Sequence, residues 1–326
     1  MMFKSLPTRL VCRVCALVVW LSVLSVAQAQ AIVLYVANAG SDTVGAYNAN
    51  TGVPINTALV TAGQGIDGPT GLALGPNGLY VAGYFNNRVG LFNATTGATI
   101  NSPLVTGAQG VANPNGIVVD SSNHLFVANF NTNTVSRYDA TSGVTLNSSF
   151  ITAAQGLSGP SFPLLLPGNR LLVGNQTSNA IGAFDATTGA TLNNAFISGL
   201  SSPQQMAVDN FNQLFVANFN NSTIGKYDAT SGAVINASFI TGLNNPVGLA
   251  YDGNNHLFVS SYGDSAVREY DATTGIVINP TFITGLNLPY GLVVSTVPEP
   301  SSLILAAMAA AAVPGIRRYR RKSVEA

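Results

Sequence analysis

Short apolar stretches separated by turn residues fill the chain between residues 32 and 295. Residues 206–241 show the pattern clearly, with apolar segments at Met206–Asp209, Leu214–Asn218, Thr223–Asp228 and Val234–Thr241. Each segment is short, rich in Val, Ile, Phe and Tyr, and bounded by Gly, Asn, Asp or Ser, which predicts four β-strands joined by tight turns. In Asp228-Ala-Thr-Ser-Gly232 the aspartate side chain is expected to close the turn onto the backbone, with glycine taking positive φ. Aspartates in this phrase therefore read as turn residues and not as catalysts.

The four-strand unit recurs. Its hairpin phrase begins at Tyr47, Phe92, Tyr138, Phe184, Tyr227 and Tyr270, at spacings of 45, 46, 46, 43 and 43 residues. A second phrase begins at Pro69, Pro114, Pro160, Pro203, Pro246 and Pro289. This period is that of a four-stranded propeller blade. The ends complete the count. Ile32-Val-Leu-Tyr-Val-Ala-Asn38 is a second strand with no first strand before it, and Pro289-Tyr-Gly-Leu-Val-Val-Ser295 is a first strand with nothing after it. Paired, they make one blade and leave no open edge. The expected fold is an all-β, six-bladed β-propeller of four-stranded antiparallel blades, occupying residues 30–296, with helical segments at both ends.

The repeats resemble the YVTN and NHL families of propeller repeats. Tyr35-Val-Ala-Asn-Ala-Gly-Ser-Asp-Thr-Val44 is similar to a YVTN unit, and Pro246-Val-Gly-Leu-Ala-Tyr-Asp252 with Leu257-Phe-Val259 is similar to an NHL unit. The likeness implies a ligand- or partner-binding scaffold and constrains fold far better than function.

Composition agrees with a β-protein: 8% of residues are charged and 33 are glycine. The formal charge of zero conceals an uneven distribution, because basic residues crowd the two termini. Residues 32–295 hold five basic and eleven acidic side chains, a formal charge of −6. Without a basic patch this region is not expected to bind nucleic acid. Both cysteines, Cys12 and Cys15, lie in the apolar leader, with neither a βαβ context nor a second ligand pair, so no redox or zinc chemistry is expected of them.

The termini read as addresses. Lys4, Arg9 and Arg13 precede an apolar run from Ala16 to Val26 and then Ala27-Gln-Ala29, the order of a secretory signal over residues 1–29. Signal peptidase is expected to cut after Ala29, or alternatively after Ala31. At the other end Val297-Pro298-Glu299-Pro300 leads into an apolar stretch, Leu303 to Val313, and a basic cluster, Arg317 to Lys322. As a helix, residues 303–316 would reach about 21 Å, short of the ~30 Å hydrocarbon layer. The three parts in this order, over residues 297–322, resemble the PEP-CTERM sorting signal of Gram-negative bacteria. That resemblance implies an exosortase partner cutting near Pro298–Pro300, transient membrane attachment, and delivery to the cell surface or extracellular matrix. A plain anchor helix is the alternative.

Candidate chemistry is sparse. Second-to-third strand loops and blade-to-blade connections should share one face, and those loops carry Tyr84, Phe130, Phe219 and Tyr262 at equivalent positions. Such aromatics could stack on sugar rings or pack between blades. The first three connections are longer than the others and hold Gln64, Gln109 and Gln155, with Asp67 beside the first. Varied loops on a rigid scaffold suit binding, here of an extracellular polysaccharide or a surface protein. His124 and His256 occupy matching hairpins and read as turn residues; Glu269 beside Arg268 reads as a solvated pair. No cofactor, metal-ligand set or catalytic triad is expected. A non-enzymatic binding protein is the leading expectation. The rival is a metal-dependent lactonase or hydrolase of the gluconolactonase-like propeller type, which would hold its metal with acids at the channel mouth, where this sequence has none.

Overall fold

The computed structural model describes residues 32–295. The expected signal and sorting segments, with Ala29, Pro298, Glu299 and Pro300, lie outside the described residues. Six sheets of four antiparallel strands form six blades. Blade 1 is assembled from both ends of this region: inner strand Pro289–Val294, then Val33–Asn38, Thr43–Asn48 and outer strand Pro54–Val60. Blade 2 runs Pro69–Gly75, Gly78–Gly83, Arg88–Phe92 and Thr99–Thr106. The inner strands of blades 3 to 6 are Pro114–Val119, Pro160–Leu166, Pro203–Val208 and Pro246–Tyr251. Blade 5 therefore begins at Pro203, earlier than the expected Met206, because a register shift between Pro203 and Met206 lets both segments pair with the second strand.

The second strands explain why the apolar runs are continuous. Leu79 and Val81 belong to the core shared with blade 1, whereas Tyr80 and Ala82 belong to the core shared with blade 3. A strand covered on both faces has no solvent side to mark with polar residues. All six cores lie in the seams between neighbouring blades; the sixth joins Leu34, Val36 and Tyr47 to Phe258, Val267 and Phe282. No blade encloses its own apolar surface, so stability depends on closing the ring.

Closure is made by backbone pairing. Leu34, Tyr35 and Val36 lie opposite Val294, Val293 and Leu292, and Ser295 exchanges bonds with Val33 through its N–H and its Oγ at 2.8 Å each. The repeated turns behave as their sequence predicts. Asp139 Oδ1 accepts from the N–H groups of Thr141 (3.1 Å) and Ser142 (2.7 Å), and Asp185, Asp228 and Asp271 do the same in their blades. These bonds favour the ionised form and hold the four carboxyls below their ordinary pKa.

Polar links cross five of the seams, each ending on a carbonyl of the next blade's third-to-fourth turn. Tyr35 and Tyr80 donate their hydroxyls to Ala94 (3.0 Å) and Ala140 (2.9 Å). Arg137 reaches Thr187 at 2.8 Å, Arg170 reaches Ala229 and Thr230, and Lys226 Nζ reaches Ala272 at 3.0 Å. The corresponding third-strand residue at the closing seam is Glu269. It is buried, 6% exposed, and is not the solvated partner of Arg268 expected from their adjacency. Arg268 instead pairs with Asp264 at 2.7 Å, and the nearest cation-forming group to Glu269 is His256 at 3.8 Å. Neighbouring residues on a strand point to opposite faces, which is why sequence adjacency misled here.

Candidate functional site: the mouth of the ring axis

Each blade places one residue at the axial mouth by the same backbone bond. The N–H of the residue after the second strand donates to the carbonyl of the residue before the inner-strand proline. The pairs are Ala39 to Leu288, Tyr84 to Gly68, Phe130 to Asn113, Gln176 to Gly159, Phe219 to Ser202 and Tyr262 to Asn245, at 3.0–3.3 Å. Tyr84, Phe130, Phe219 and Tyr262 thus occupy equivalent, half-buried positions.

Two of the four join a larger aromatic set. Phe219 meets Tyr262 edge-on at 6.2 Å, Tyr262 meets Tyr290 edge-on at 6.3 Å, and Tyr290 stacks on Phe162 at 5.9 Å. Phe162 belongs to blade 4 and Tyr290 to blade 1, so this stack crosses the axis. Burial, reinforced by the nearby Tyr84 and Tyr262 hydroxyls, pushes the Tyr290 phenol up, and the Asn115 amide partly offsets this. Tyr84 therefore borders the set, while its ring packs edge-on to Phe85 at 5.4 Å. Phe130 turns toward the loop of blade 4 and lies over Gly159.

The axis below the mouth is filled. In four blades the second residue after the inner proline is glycine, and a Cβ on Gly116 would collide with the backbone of Phe162. The other two blades place Phe162 and Gln205 at that position. Gln205 bridges across the axis: Nε2 donates to Leu292 O at 2.7 Å, and Oε1 accepts from the N–H groups of Leu292 (3.0 Å) and Leu249 (3.3 Å). Phe162, Gln205, Tyr290 and Asn115 were not among the expected site residues. Their signal was present as departures from a Pro-x-Gly phrase, which reads as noise until the strands are seen to converge.

The three loop glutamines have a different setting. Each forms the last residue of a 3-10 turn (Ala62–Gln64, Gly107–Gln109, Ala153–Gln155). Oε1 accepts from the N–H of Thr61, Thr106 or Thr152 at 2.9–3.1 Å. Nε2 donates to Gly97, Gly143 or Gly189 in the next blade's outer turn at 2.5–2.7 Å. The structure groups them with the outer strands and not with the aromatic mouth. Asp67 is exposed, and its carbonyl accepts from Phe85 N–H at 3.3 Å.

The inner-strand tops are neutral, while the nearby Asp42 carboxylate accepts Gly68 N–H at 2.7 Å. The residues following the inner prolines are Thr70, Asn115, Ser161, Gln204, Val247 and Tyr290. Among the described residues no group of three or more His, Cys, Asp or Glu stands close enough to hold a metal. His124 and His256 lie in first-to-second strand turns, each with Nδ1 2.8 Å from an aspartate, Asp120 or Asp252. Those aspartates also accept backbone N–H bonds within the turn, consistent with a turn role.

The fold and this axial mouth define a six-bladed propeller of the kind built from short sequence repeats, and residues 112–138 match the NHL repeat family. Among curated protein sequences none matches the chain. Solved structures are similar at the level of fold. A propeller from a nidogen–laminin complex aligns at TM-score 0.66 and 14% identity, over 81% of this chain and 98% of that one. A gluconolactonase from Xanthomonas campestris aligns at 0.57 and 16%, over 67% and 77%. Virginiamycin B lyase from Staphylococcus aureus aligns at 0.53 and 17%, over 77% and 81%.

Proposed function

We propose that this chain is an exported, non-enzymatic binding or scaffold propeller that meets its ligand at the axial mouth. The observation that carries the reading is the aromatic chain Phe219–Tyr262–Tyr290–Phe162 set among neutral polar residues. Aromatic faces beside amide and hydroxyl groups suit a sugar ring or an aromatic side chain of a partner, so the ligand is an extracellular polysaccharide or a surface protein. Fold similarity to a chain solved in a nidogen–laminin complex is compatible with this role. A glycan array tests it: Tyr262→Ala and Phe219→Ala are each expected to abolish binding to part of the set of glycans bound by the unaltered protein, and full retention of every glycan in both would sink the proposal.

A metal-dependent lactonase, or a lyase, is the second reading, favoured by the fold likeness to gluconolactonase and virginiamycin B lyase. Against it stand the neutral residues at the inner-strand tops and the Gln205 bridge, with the nearby Asp42 and Asp264 carboxylates already engaged by Gly68 N–H and Arg268. Elemental analysis after exhaustive dialysis, with lactone hydrolysis assayed in parallel, separates the two readings. Stoichiometric divalent metal together with turnover would establish the second.

The proposed address is the cell surface or matrix of a Gram-negative bacterium, reached by signal peptidase cleavage after Ala29 and exosortase cleavage near Pro298–Pro300. The three-part order of the C-terminal segment supports this. Intact mass of protein from its host checks it: a mature chain beginning at Gln30 and ending near Pro298 is expected. An uncut C-terminus in the membrane fraction would replace sorting with simple anchoring.

A further inference from the structure

The seam that closes the ring contains a pocket of about 420 Å³ between the outer part of blade 6 and the second to fourth strands of blade 1. We propose that it is a second binding site, separate from the axial mouth, for a neutral polyhydroxylated ring such as a hexose unit.

The connection that lies over this seam differs from those of the first three blades. From blade 1 to blade 4 the connections carry the 3-10 turns, whose glutamines fill the space between outer strands. The connection from Phe282 to Pro289 is shorter and has no such turn. Two repeat-equivalent positions differ at this seam. Tyr138 donates its hydroxyl to the Gln109 carbonyl of the loop beside it at 2.9 Å. Tyr47 holds the same position at the closing seam and lines the pocket, where no 3-10 turn stands beside its ring. Likewise Asn129, Asn175 and Asn218 each use Oδ1 to accept a loop N–H, at 3.0, 3.0 and 3.2 Å. The equivalent Asn38 also lines the pocket, is 4% exposed, and has a buried Oδ1 with no partner. A buried acceptor left without a partner costs about 1–3 kcal/mol, so a ligand hydroxyl that reaches Asn38 Oδ1 through a small shift of the pocket wall recovers that cost.

The lining selects the chemistry. It contains no ionised side chain, so a charged ligand would lose hydration without meeting a countercharge. Hydroxyls of Tyr47, Thr57 and Thr281 and the Asn38 amide offer donors and acceptors on several sides, which a purely apolar ligand would leave unmet. The volume lies within the ~300–1,000 Å³ range of small-molecule sites.

The test uses the full-length protein and three neutral probes, the methyl glycosides of glucose, galactose and mannose, with glucuronate as the charged comparison. Binding is read by calorimetry and saturation-transfer NMR. At least one neutral glycoside is expected to bind one-to-one. Thr57→Trp, at an exposed outer-strand position, is expected to fill the pocket and abolish binding with thermal unfolding unchanged. Tyr47→Phe, which removes only the hydroxyl, is expected to weaken binding by about three- to tenfold. Tyr262→Ala, at the axial mouth, should leave this binding intact, so failure of the mouth proposal and failure of this one are distinguishable. The inference is overturned if none of the three glycosides binds, if binding survives Thr57→Trp, or if glucuronate binds as tightly as the methyl glucoside.

Discussion

Gly97 occupies the outer turn of blade 2 at φ 71°, and a Cβ there would overlap the Leu59 carbonyl of blade 1. Gly168 has a similar φ of 77°, but a Cβ would meet nothing within 4 Å. Gly168→Ala is therefore expected to cost about 1–2 kcal/mol, the left-handed penalty alone. Gly97→Ala should cost roughly 3 kcal/mol or more, because backbone must move as well. Thermal unfolding of the two variants checks the ordering; equal losses would show that the blade 1–2 contact is slack. Glu269 supplies a pH prediction. Burial raises its pKa above 4.5, with His256 lowering it and Asp252 raising it further. The folded state therefore favours the protonated form, and stability falls as pH rises from the unfolded pKa through the folded one. Glu269→Gln should raise the midpoint of unfolding at pH 7 and give no gain near pH 3. The turn carboxyls Asp139, Asp185, Asp228 and Asp271 work with the opposite sign: their folded pKa is lowered, so their stabilisation is present above about pH 4 and fades as pH falls through their folded values.

At the scale of the strand and the seam, side chains from three different positions of the repeat perform one task with different chemistry. The carbonyls of the third-to-fourth turn are capped by tyrosine in blades 1 and 2 and by arginine or lysine in blades 3 to 5. Lys226 is 4% exposed, and its Nζ lies 4.6 Å from the centre of the Phe239 ring while donating to Ala272. Lys226→Met keeps the stem and loses the bond to a buried charge; a loss of about 1.5–3 kcal/mol in denaturant unfolding is expected. No loss would mean that lysine desolvation cancels the bond. Gln205 is the axial counterpart, and Gln205→Ala removes two bonds from blade 5 to the closing strand and one to blade 6.

For the whole molecule the closing strand is decisive. Leu34 and Val36 are buried against blade 6 in the same core as Leu292, so removing Pro289–Val294 opens a strand edge and uncovers a seam at once. A chain stopped after Leu288 is expected to lose its cooperative transition and to associate, as read by circular dichroism and light scattering. A monomeric, cooperatively unfolding product would show that five complete blades suffice.

Much of this was legible before any coordinates. The period, the turn aspartates with their glycines, the four strands per unit and the divided first blade all follow from local rules: turn chemistry and strand patterning act over a few residues and repeat with the chain. The equivalence of Tyr84, Phe130, Phe219 and Tyr262 was legible for the same reason. Their fates were not, since Phe130 turns to a neighbouring loop while Tyr262 joins Tyr290 and Phe162 from other blades. Gln64, Gln109 and Gln155 had the same limit: the sequence marks them as unusual, but only contact with the next blade's turn reveals where their amides go. By itself, then, the sequence determined the number of blades and how the ring closes, because each is a property of one unit counted along the chain. Tertiary structure decided what fills the axis, which aromatics gather at its mouth, and where the closing seam leaves the Asn38 Oδ1 without a partner. Those outcomes depend on residues far apart in sequence, whose side chains meet only when twisted blades converge on a common axis.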